Sequence, residues 1–188
     1  MKKLGFDLAL ALNKEVKALA DAGCQYIQID EPVFARKPDE ANAYGMENLE
    51  RMMHGIPKEV QRVCHICCGY PNSLDSHGYK KAELDAYDRI ATLVDDSTID
   101  EVSLEDSHRH NDLNLLEKFT KTKVIFGFID IAKSRMETVE EVRVRMKDSL
   151  EHIDEHRLIA APDCGLGFFT REQAIEKMTI LTKAAKSI

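Results

Sequence analysis

Hydrophobic positions along the chain follow two patterns, short runs of apolar and β-branched residues and longer stretches with apolar residues three to four positions apart. The short runs are typical of buried strands, and the longer stretches are typical of amphipathic helices. Strands and helices that alternate in this way predict an α/β fold with a parallel sheet. The five predicted strands are CQYIQID (24–30), RVCHICC (62–68), EVSLE (101–105), KVIFGFID (123–130) and RLIAAPD (157–163).

The helical stretches carry start and stop signals of their own. The first, residues 7–22, ends at Gly23, a residue that suits the left-handed turn closing many helices. Residues 138–141 and 170–173 match the capping box, so helices are expected to begin near these two positions. Further helices are predicted over about 39–54, 82–96 and 112–121.

Every predicted strand ends in polar or reactive side chains. In parallel α/β folds the loops after the carboxyl ends of the strands converge on one face, where substrates bind. Five such ends directed at one mouth predict an active site on a barrel. The residues concerned are Asp30 and Glu31, the Cys/His group of the second strand, Glu105 and Asp106, Asp130, and Asp163 and Cys164.

The number of strands limits the barrel that can form. A closed (β/α)8 barrel typically needs about 250 residues and eight strands, whereas this chain has 188 residues and five predicted strands. We therefore predict a TIM-barrel type α/β fold with only five βα units present, forming one domain over residues 1–188. Either the chain is part of a longer protein, or partner chains complete the barrel, or the sheet stays open with two edges that invite association.

Charge and composition narrow the classes of partner. The net charge is −7 and Lys and Arg are scattered among acids, so no basic stripe is available for nucleic acid or for an anionic membrane. Asp7, Asn13 and Lys14 interrupt the apolar N-terminal stretch, so neither a signal-peptide core nor a membrane span is expected. We expect a soluble, cytoplasmic protein, in which five cysteines point to thiol chemistry, metal ligation or core packing.

The segment VCHICCG places three of the five cysteines beside a histidine. Residues two apart on a strand share a face, so His65 and Cys67 are expected to point to the mouth of the barrel. By the same alternation, Cys64 and Cys68 are expected on the packing side. Because cysteine often acts as a small buried hydrophobe, Cys24 is also expected in the core.

His65 and Cys67 carry the side chains that Zn²⁺ favours, imidazole and thiolate. This pair alone is a weak signal, but Glu105 and Cys164 lie at the ends of two other strands. The four residues together predict a zinc site. Two thiolates and a carboxylate leave such a centre net negative, which makes a poor Lewis acid toward carbonyls but suits activation of a substrate thiol.

The motifs IQIDEP, HIC, VSLED and PDCGLG, in this order and at these intervals, resemble the catalytic barrel of the cobalamin-independent methionine synthase family. The resemblance runs from about residue 7 to the end of the chain and corresponds to the last five βα units of the barrel. It implies zinc-dependent transfer of a methyl or other alkyl group to a thiol such as homocysteine, with a zinc-bound thiolate as the nucleophile. It further implies that Asp30 binds the amino group of homocysteine and that Glu105 yields its place on the metal as the thiol arrives. The zinc ligands implied are His65, Cys67, Glu105 and Cys164.

Some family positions carry different residues in this chain. Ala132 stands where the folate-using enzymes have a histidine that donates a proton, and Arg36 stands where an acidic residue contacts folate. The chain also has no Trp to offer a pterin ring. These departures argue against a polyglutamylated folate donor and favour the shorter relatives, which include core methionine synthases and epoxyalkane:coenzyme M transferases.

Charged residues after the third and fourth strands offer further candidate roles. Lys133 and Arg135 could bind an anionic group on the thiol substrate, or they could be solvated charges before a capped helix. His108 and His110 follow Glu105 closely, where one of them could move a proton or fix Glu105. The alternative is a polar loop that caps the next helix.

Two hypotheses of other classes stay open. A truncated chain that keeps the zinc cluster but lacks strands for a closed pocket would be inactive alone or would serve as a binding or assembly subunit. A metal-free, decarboxylase-like barrel is the third interpretation, and the absence of metal in the purified protein would favour it.

Overall fold

A parallel sheet of five strands forms the centre of the computed structural model, which describes residues 2–76 and 78–188. The strands lie side by side in chain order, and each pairs in parallel with the next. Sequential parallel strands joined by helical crossovers are the arrangement found in βα barrels. The prediction of an α/β fold with five parallel strands is confirmed. The strands are β1 (Tyr26–Glu31), β2 (Gln61–Ile66), β3 (Glu101–Leu104), β4 (Lys123–Ile129) and β5 (Leu158–Pro162).

Helices occupy the connections between the strands. In the described residues they are α1 (Lys2–Asp21), α2 (Pro38–Glu40), α3 (Met46–Met53), α4 (Asp88–Asp96), α5 (Asn114–Glu117), α6 (Val139–Leu150) and α7 (Arg171–Ala185). A π-helical turn, Ala41–Gly45, joins α2 to α3, and single 3-10 turns lie at Phe34–Arg36 and Glu155–Arg157.

Local capping signals place several helix ends where the sequence predicts them. Both capping boxes are present, with Thr138 at the start of α6 and Thr170 at the start of α7 accepting a hydrogen bond from the third residue of their helix. Gly23 follows α1 with a φ of 93°, the left-handed conformation expected at that position.

Two helices are shorter than predicted because tertiary hydrogen bonds hold the neighbouring backbone. Residues 82–87 precede α4 as turns and loop, and the Ala82 N–H donates to the Cys68 carbonyl at 2.8 Å. Helix α5 ends at Glu117, and the following turn donates backbone N–H groups to the Asp95 carboxylate. These partners compete with the next turn of helix in each case.

The hydrophobic core lies between the sheet and the helices. Strand β3 is buried throughout, whereas β1 alternates between exposed positions and buried or half-buried ones, and β5 is half-buried along its length. The two outer strands are therefore open edges of the sheet. Core residues contributed by the central strands are Cys64, Ile66, Val102, Leu104, Val124, Phe126, Phe128 and Ile129.

Of the three cysteines predicted in the core, Cys64 and Cys68 are buried there and Cys24 is not. Cys64 is fully buried, as expected, but Cys24 is exposed just before β1, so its assignment to the core is wrong. Strand β2 ends at Ile66, so the alternation of faces no longer determines where Cys68 points. Cys68 is buried, yet its thiol contacts Glu105 and does not serve as a purely apolar packing group.

None of the helices in the described ranges is both long enough and apolar enough to cross a lipid bilayer.

Candidate metal centre

Loops and strand ends from three parallel strands bring four potential ligands together. His65 is the penultimate residue of β2 and Cys67 follows that strand, while Glu105 follows β3 and Cys164 follows β5. One donor atom from each residue lies within 4.8 Å of the donor atoms of all the others. Strand ends of a parallel sheet meet on one face, which explains why residues spread over about half of the chain converge here.

The ring of His65 is oriented by a neighbouring strand. Its Nδ1 lies 2.8 Å from the hydroxyl of Ser103, the residue opposite it in the β2–β3 register. Its Nε2 is buried and has no hydrogen-bond partner among the described residues. A buried polar atom without a partner is unusual in a folded protein, and a metal-binding histidine typically has its other ring nitrogen held by a hydrogen bond. The ring is thus arranged as expected for a ligand that binds metal through Nε2.

The two thiols of the cluster affect each other. The neighbouring Cys164 thiol, with burial as a second cause, raises the pKa of Cys67. The same proximity lowers the pKa of Cys164, since a neutral Cys67 favours its ionised form. Cys164 is therefore the thiol of the pair that ionises more easily, and a divalent cation would favour ionisation of both.

Glu105 is fully buried and surrounded by hydrogen-bond donors. Its Oε1 accepts the Cys68 N–H at 2.9 Å, and its Oε2 accepts the Cys68 thiol at 3.1 Å. Lys81 Nζ is 3.5 Å from Oε2, and His108 Nδ1 is 3.4 Å from it. Burial and the Glu105 charge raise the pKa of the Cys68 thiol, which keeps its proton available for donation.

Tyr87 links the ends of β2 and β3 behind the cluster. Its hydroxyl donates to the Ile66 carbonyl at 2.7 Å and accepts the Glu105 N–H at 3.3 Å. Burial raises the pKa of Tyr87 well above its ordinary value, so the hydroxyl remains a donor. Tyr87 thus links the backbone of Ile66, just before Cys67, to the backbone of Glu105.

Asp163 organises the loop after β3. Its carboxylate accepts the N–H groups of Asp106, Ser107 and His108, each at 2.8 Å, and contacts His108 Nδ1 at 2.7 Å. A Cβ at Gly127 would lie 2.1 Å from Asp163 Oδ1, so the close approach of β4 requires glycine. Asp163 therefore holds His108 in place. Because Cys164 is the next residue in the chain, these contacts also restrain its backbone.

The other candidate residues do not belong to this buried cluster. Asp30 is exposed at the end of β1 and accepts a hydrogen bond from Gln28 at 2.7 Å, although it lies opposite His65 in the register. His110, Lys133 and Arg135 line a separate cavity of about 560 Å³ beside α6, where Arg135 also pairs with Glu141.

The two positions that depart from the family pattern, Ala132 and Arg36, differ in burial. Ala132 is 1% exposed. Arg36 is exposed and donates to the Pro32 carbonyl.

Several residues at the centre carry no role in the sequence prediction. Ser103 could have been found, because it lies two residues before Glu105 in the predicted strand EVSLE, where residues two apart share a face. Lys81 and Tyr87 lie in a connection without a motif, and only the folded chain brings them to Glu105. The residues whose contacts at the centre only the structure identifies are Cys68, Lys81, Tyr87 and Ser103. The sequence predicts Asp163 at the mouth of the barrel, but it does not predict the loop that Asp163 holds.

Comparison with known proteins places the chain in a family. A model of the catalytic domain of cobalamin-independent synthases matches residues 2–187. A methionine synthase from Thermococcus kodakarensis is 33% identical over 188 residues, covering 100% of this chain and 50% of the relative. One from Saccharolobus islandicus is 29% identical, covering 100% of this chain and 51% of the relative. The chain thus spans about half the length of the curated relatives it matches.

Solved structures show the same fold. A B12-independent methionine synthase from a Shewanella species, in complex with selenomethionine, superposes with a TM-score of 0.87 at 32% identity, covering 99% of this chain and 55% of that one. A putative vitamin-B12 independent methionine synthase from Listeria monocytogenes gives a TM-score of 0.71 at 21% identity, which supports the fold alone. The five strands match about half of these barrel chains. The protein belongs to the cobalamin-independent methionine synthase catalytic-domain family.

Proposed function

We propose that the protein functions in zinc-dependent transfer of a methyl or other alkyl group to a substrate thiol, of the homocysteine-to-methionine type. The observation that carries the proposal is the convergence of four metal-binding side chains from three strand ends, within 4.8 Å of one another, in a chain of this family. The cluster fits zinc in its chemistry, because two thiols, an imidazole and a carboxylate are typical zinc ligands.

His65, Cys67, Glu105 and Cys164 are the proposed ligands. Bound zinc would favour ionisation of a substrate thiol and keep the sulfur nucleophilic. The unpaired Nε2 of His65 supports this assignment, as does the lowered pKa of Cys164. Burial of Glu105 and His65 limits access of water to the side of the cluster that faces the sheet.

Substrate contacts are proposed for three residues outside the cluster. The Asp30 carboxylate, exposed at the same edge of the sheet as His65, would bind the amino group of an amino-acid thiol. Lys133 and Arg135, at the cavity beside α6, would bind an anionic group of the acceptor or donor. These three assignments come from the sequence.

The two histidines after Glu105 are proposed to have different roles. His108 is buried between Glu105 and Asp163, so it would hold the loop and the carboxylate in place. His110 is exposed at the cavity that Lys133 lines, where it would be accessible to a substrate for proton transfer.

Completion of the active site is proposed to require further βα units. The chain spans about half of its relatives, and the outer strands β1 and β5 leave open edges. Those units would come from a longer chain, from a second copy or from a partner chain, in the cytoplasm. An assembly-dependent or inactive zinc-binding subunit is the second candidate function, and the five-stranded sheet favours it.

Metal analysis with ligand substitutions tests the centre. The wild-type protein is expected to hold one zinc per chain, and Cys67→Ala and Cys164→Ala are expected to lose it because each removes a charged ligand. Cys24→Ala, an exposed cysteine outside the cluster, is the matched control and should retain zinc. Full zinc occupancy in either ligand variant would refute the ligand assignment.

A screen of acceptors and donors separates the candidate reactions. Homocysteine and coenzyme M would be tested against methylcobalamin, methyl-folates and small epoxides. Methyl transfer to homocysteine supports the methionine synthase type, and epoxide opening by coenzyme M supports the epoxyalkane transferase type. A monomer that is stable and active in such an assay would contradict the assembly-dependent hypothesis.

A further inference from the structure

Glu105 belongs to two groups of metal-binding atoms at once. Its carboxylate lies within 4.8 Å of the donors of His65, Cys67 and Cys164, and also within that distance of those of Cys68 and His108. The Glu105 carboxylate therefore has the other three proposed ligands near it and, in addition, contacts with Cys68 and Lys81.

The contacts with Cys68 and Lys81 are those that a carboxylate without a bound metal ion requires. Cys68 supplies two donors, its N–H at 2.9 Å and its thiol at 3.1 Å, and the Lys81 ammonium adds a positive charge at 3.5 Å. A buried carboxylate without a metal ion needs such partners, since an unpaired buried charge is strongly unfavourable.

The backbone holds these donors in place. Gly69, with a φ of 142°, lets the segment containing Lys81 approach closely, because a Cβ there would lie 2.6 Å from the Lys80 carbonyl oxygen. The hydrogen bond from Ala82 N–H to the Cys68 carbonyl, at 2.8 Å, joins the same two segments. Cys68 and Lys81 are therefore positioned independently of Glu105.

We propose that Cys68 and Lys81 form a withdrawn position for the Glu105 carboxylate, which Glu105 would take when a substrate thiol replaced it at a bound metal. This inference rests on the proposed zinc centre and extends it. Cys68 then acts as a positioning residue: its donors stabilise the carboxylate away from the metal and lower the free energy of the thiol-bound state. A second metal ion held by Cys68, Glu105 and His108 is disfavoured, because the Lys81 ammonium would repel it.

The two binding affinities of the centre should respond in opposite directions to loss of the Cys68 thiol. Cys68→Ala removes a donor from the withdrawn position, so zinc should bind as tightly as in the wild type or more tightly. The thiol must displace Glu105, so its dissociation constant should rise about tenfold, the loss expected for one hydrogen bond to a charged group. Cys68→Ser keeps a donor and should restore most of the thiol affinity.

The experiment measures zinc affinity by competition with a chelator and thiol affinity by calorimetry on the zinc-loaded full chain. L-homocysteine and coenzyme M serve as probes. Cys64→Ala is the matched control, because Cys64 is equally buried but packs in the core without contacting Glu105. Lys81→Met provides a second variant with the same expected pattern, in case Cys68→Ala does not fold.

Each contrary result has a distinct meaning. Weaker binding of both zinc and thiol in Cys68→Ala and Lys81→Met would show a merely structural role and overturn the inference. Two zinc ions per wild-type chain, with one lost in Cys68→Ala, would also overturn it in favour of a second metal site. A wild-type protein that binds no zinc would refute the proposed function itself. A zinc-loaded chain that binds neither thiol would overturn the inference for this chain and favour the assembly-dependent zinc-binding subunit.

Discussion

Asp163 is the residue on which the geometry of the loop after β3 depends most directly. It is fully buried and accepts three backbone N–H groups, and it also holds the imidazole of His108. Removing a buried acceptor leaves its donors without partners, at a cost of about 1–3 kcal/mol for each charged hydrogen bond. Asp163 thus supports both the loop and the adjacent Cys164.

Asp163→Asn is expected to lower the free energy of unfolding by about 3 kcal/mol, because the amide turns an N–H₂ group toward donors. Urea denaturation would measure the change. Asp112→Asn is the control, since Asp112 is exposed on the loop after β3 and accepts a single N–H, from Asn114. A loss below about 0.5 kcal/mol in Asp163→Asn, as expected for an ordinary surface change, would contradict this account.

At the scale of secondary-structure elements, Asp95 of α4 holds the turn that leads from α5 into β4. Its carboxylate accepts the N–H and hydroxyl of Thr120 and the N–H groups of Lys121 and Thr122. Burial alone would raise the pKa of Asp95, but the hydrogen bonds from Thr120 and Thr122 lower it well below its ordinary value. This turn fixes where β4 begins.

The stabilisation from Asp95 should depend on pH. Because the pKa is lower in the folded state than in the unfolded chain, the contribution is fully present above pH of about 4 and is lost as the pH falls through the lowered value. Asp95→Asn is expected to lower the free energy of unfolding by about 2 kcal/mol at pH 7, and by progressively less below pH of about 4.

Denaturation of wild type and variant from pH 7 down to pH 2.5 would measure this difference. Asp96→Asn, an exposed neighbour in the same helix, should show no such trend. If the difference in free energy of unfolding between wild type and Asp95→Asn stays constant or grows as the pH falls, the ionised carboxylate is not what stabilises the turn.

On the scale of the whole molecule, the proposed zinc ligands connect elements that are distant in sequence. They follow or end β2, β3 and β5, so a bound ion would tie both halves of the sheet together. A ligand that binds only the folded state at 100 times its dissociation constant adds about 2.7 kcal/mol of stability. For a chain of this size, that corresponds to a rise in Tm of roughly 5–10 °C.

Zinc removal should therefore lower the Tm by that amount, and added zinc should restore it. Thermal unfolding with and without a chelator measures the shift, with Mg²⁺ as the control ion because it prefers oxygen ligands. Cys164→Ala should show little response to zinc. An equal response in that variant would place the stabilising ion elsewhere on the molecule.

The surface of the whole molecule includes an apolar stripe along α1. The buried face of this helix consists of Ala9, Asn13 and Val16, and the stripe lies on the exposed face that adjoins it. Together with the open edge of β1, where Tyr26 is 65% exposed, the stripe forms a surface that favours association. The leucines of the stripe are Leu4, Leu8, Leu12 and Leu19, exposed by 57%, 54%, 49% and 45%.

Concentration-dependent self-association is therefore expected in sedimentation velocity. The double variant Leu8→Lys with Leu12→Lys should reduce it, because charges on the stripe oppose burial. Asp7→Lys adds positive charge to α1 outside the stripe and should leave association largely unchanged. A wild-type chain that stays monomeric at high concentration would contradict the prediction.

The sequence by itself determined most of the strands and helix starts, and it determined which strand ends carry the candidate metal ligands. Five strands and two capping boxes follow from local periodicity and from side chains within one helical turn, interactions that span few residues. The grouping of His65, Cys67, Glu105 and Cys164 was predictable because parallel strands end at the same edge of a sheet. Each of these rules needs only the residue types and their spacing.

Tertiary structure alone decided which side chains support the site. Cys68 lies beyond the end of β2, so strand alternation could not predict that its thiol meets Glu105. Lys81 and Asp163 reach Glu105 and the His108 loop through contacts across 24 and 55 residues, for which the sequence carries no local signal. Such contacts depend on how the loops pack once the sheet has formed, because only then are buried charges forced to find their partners.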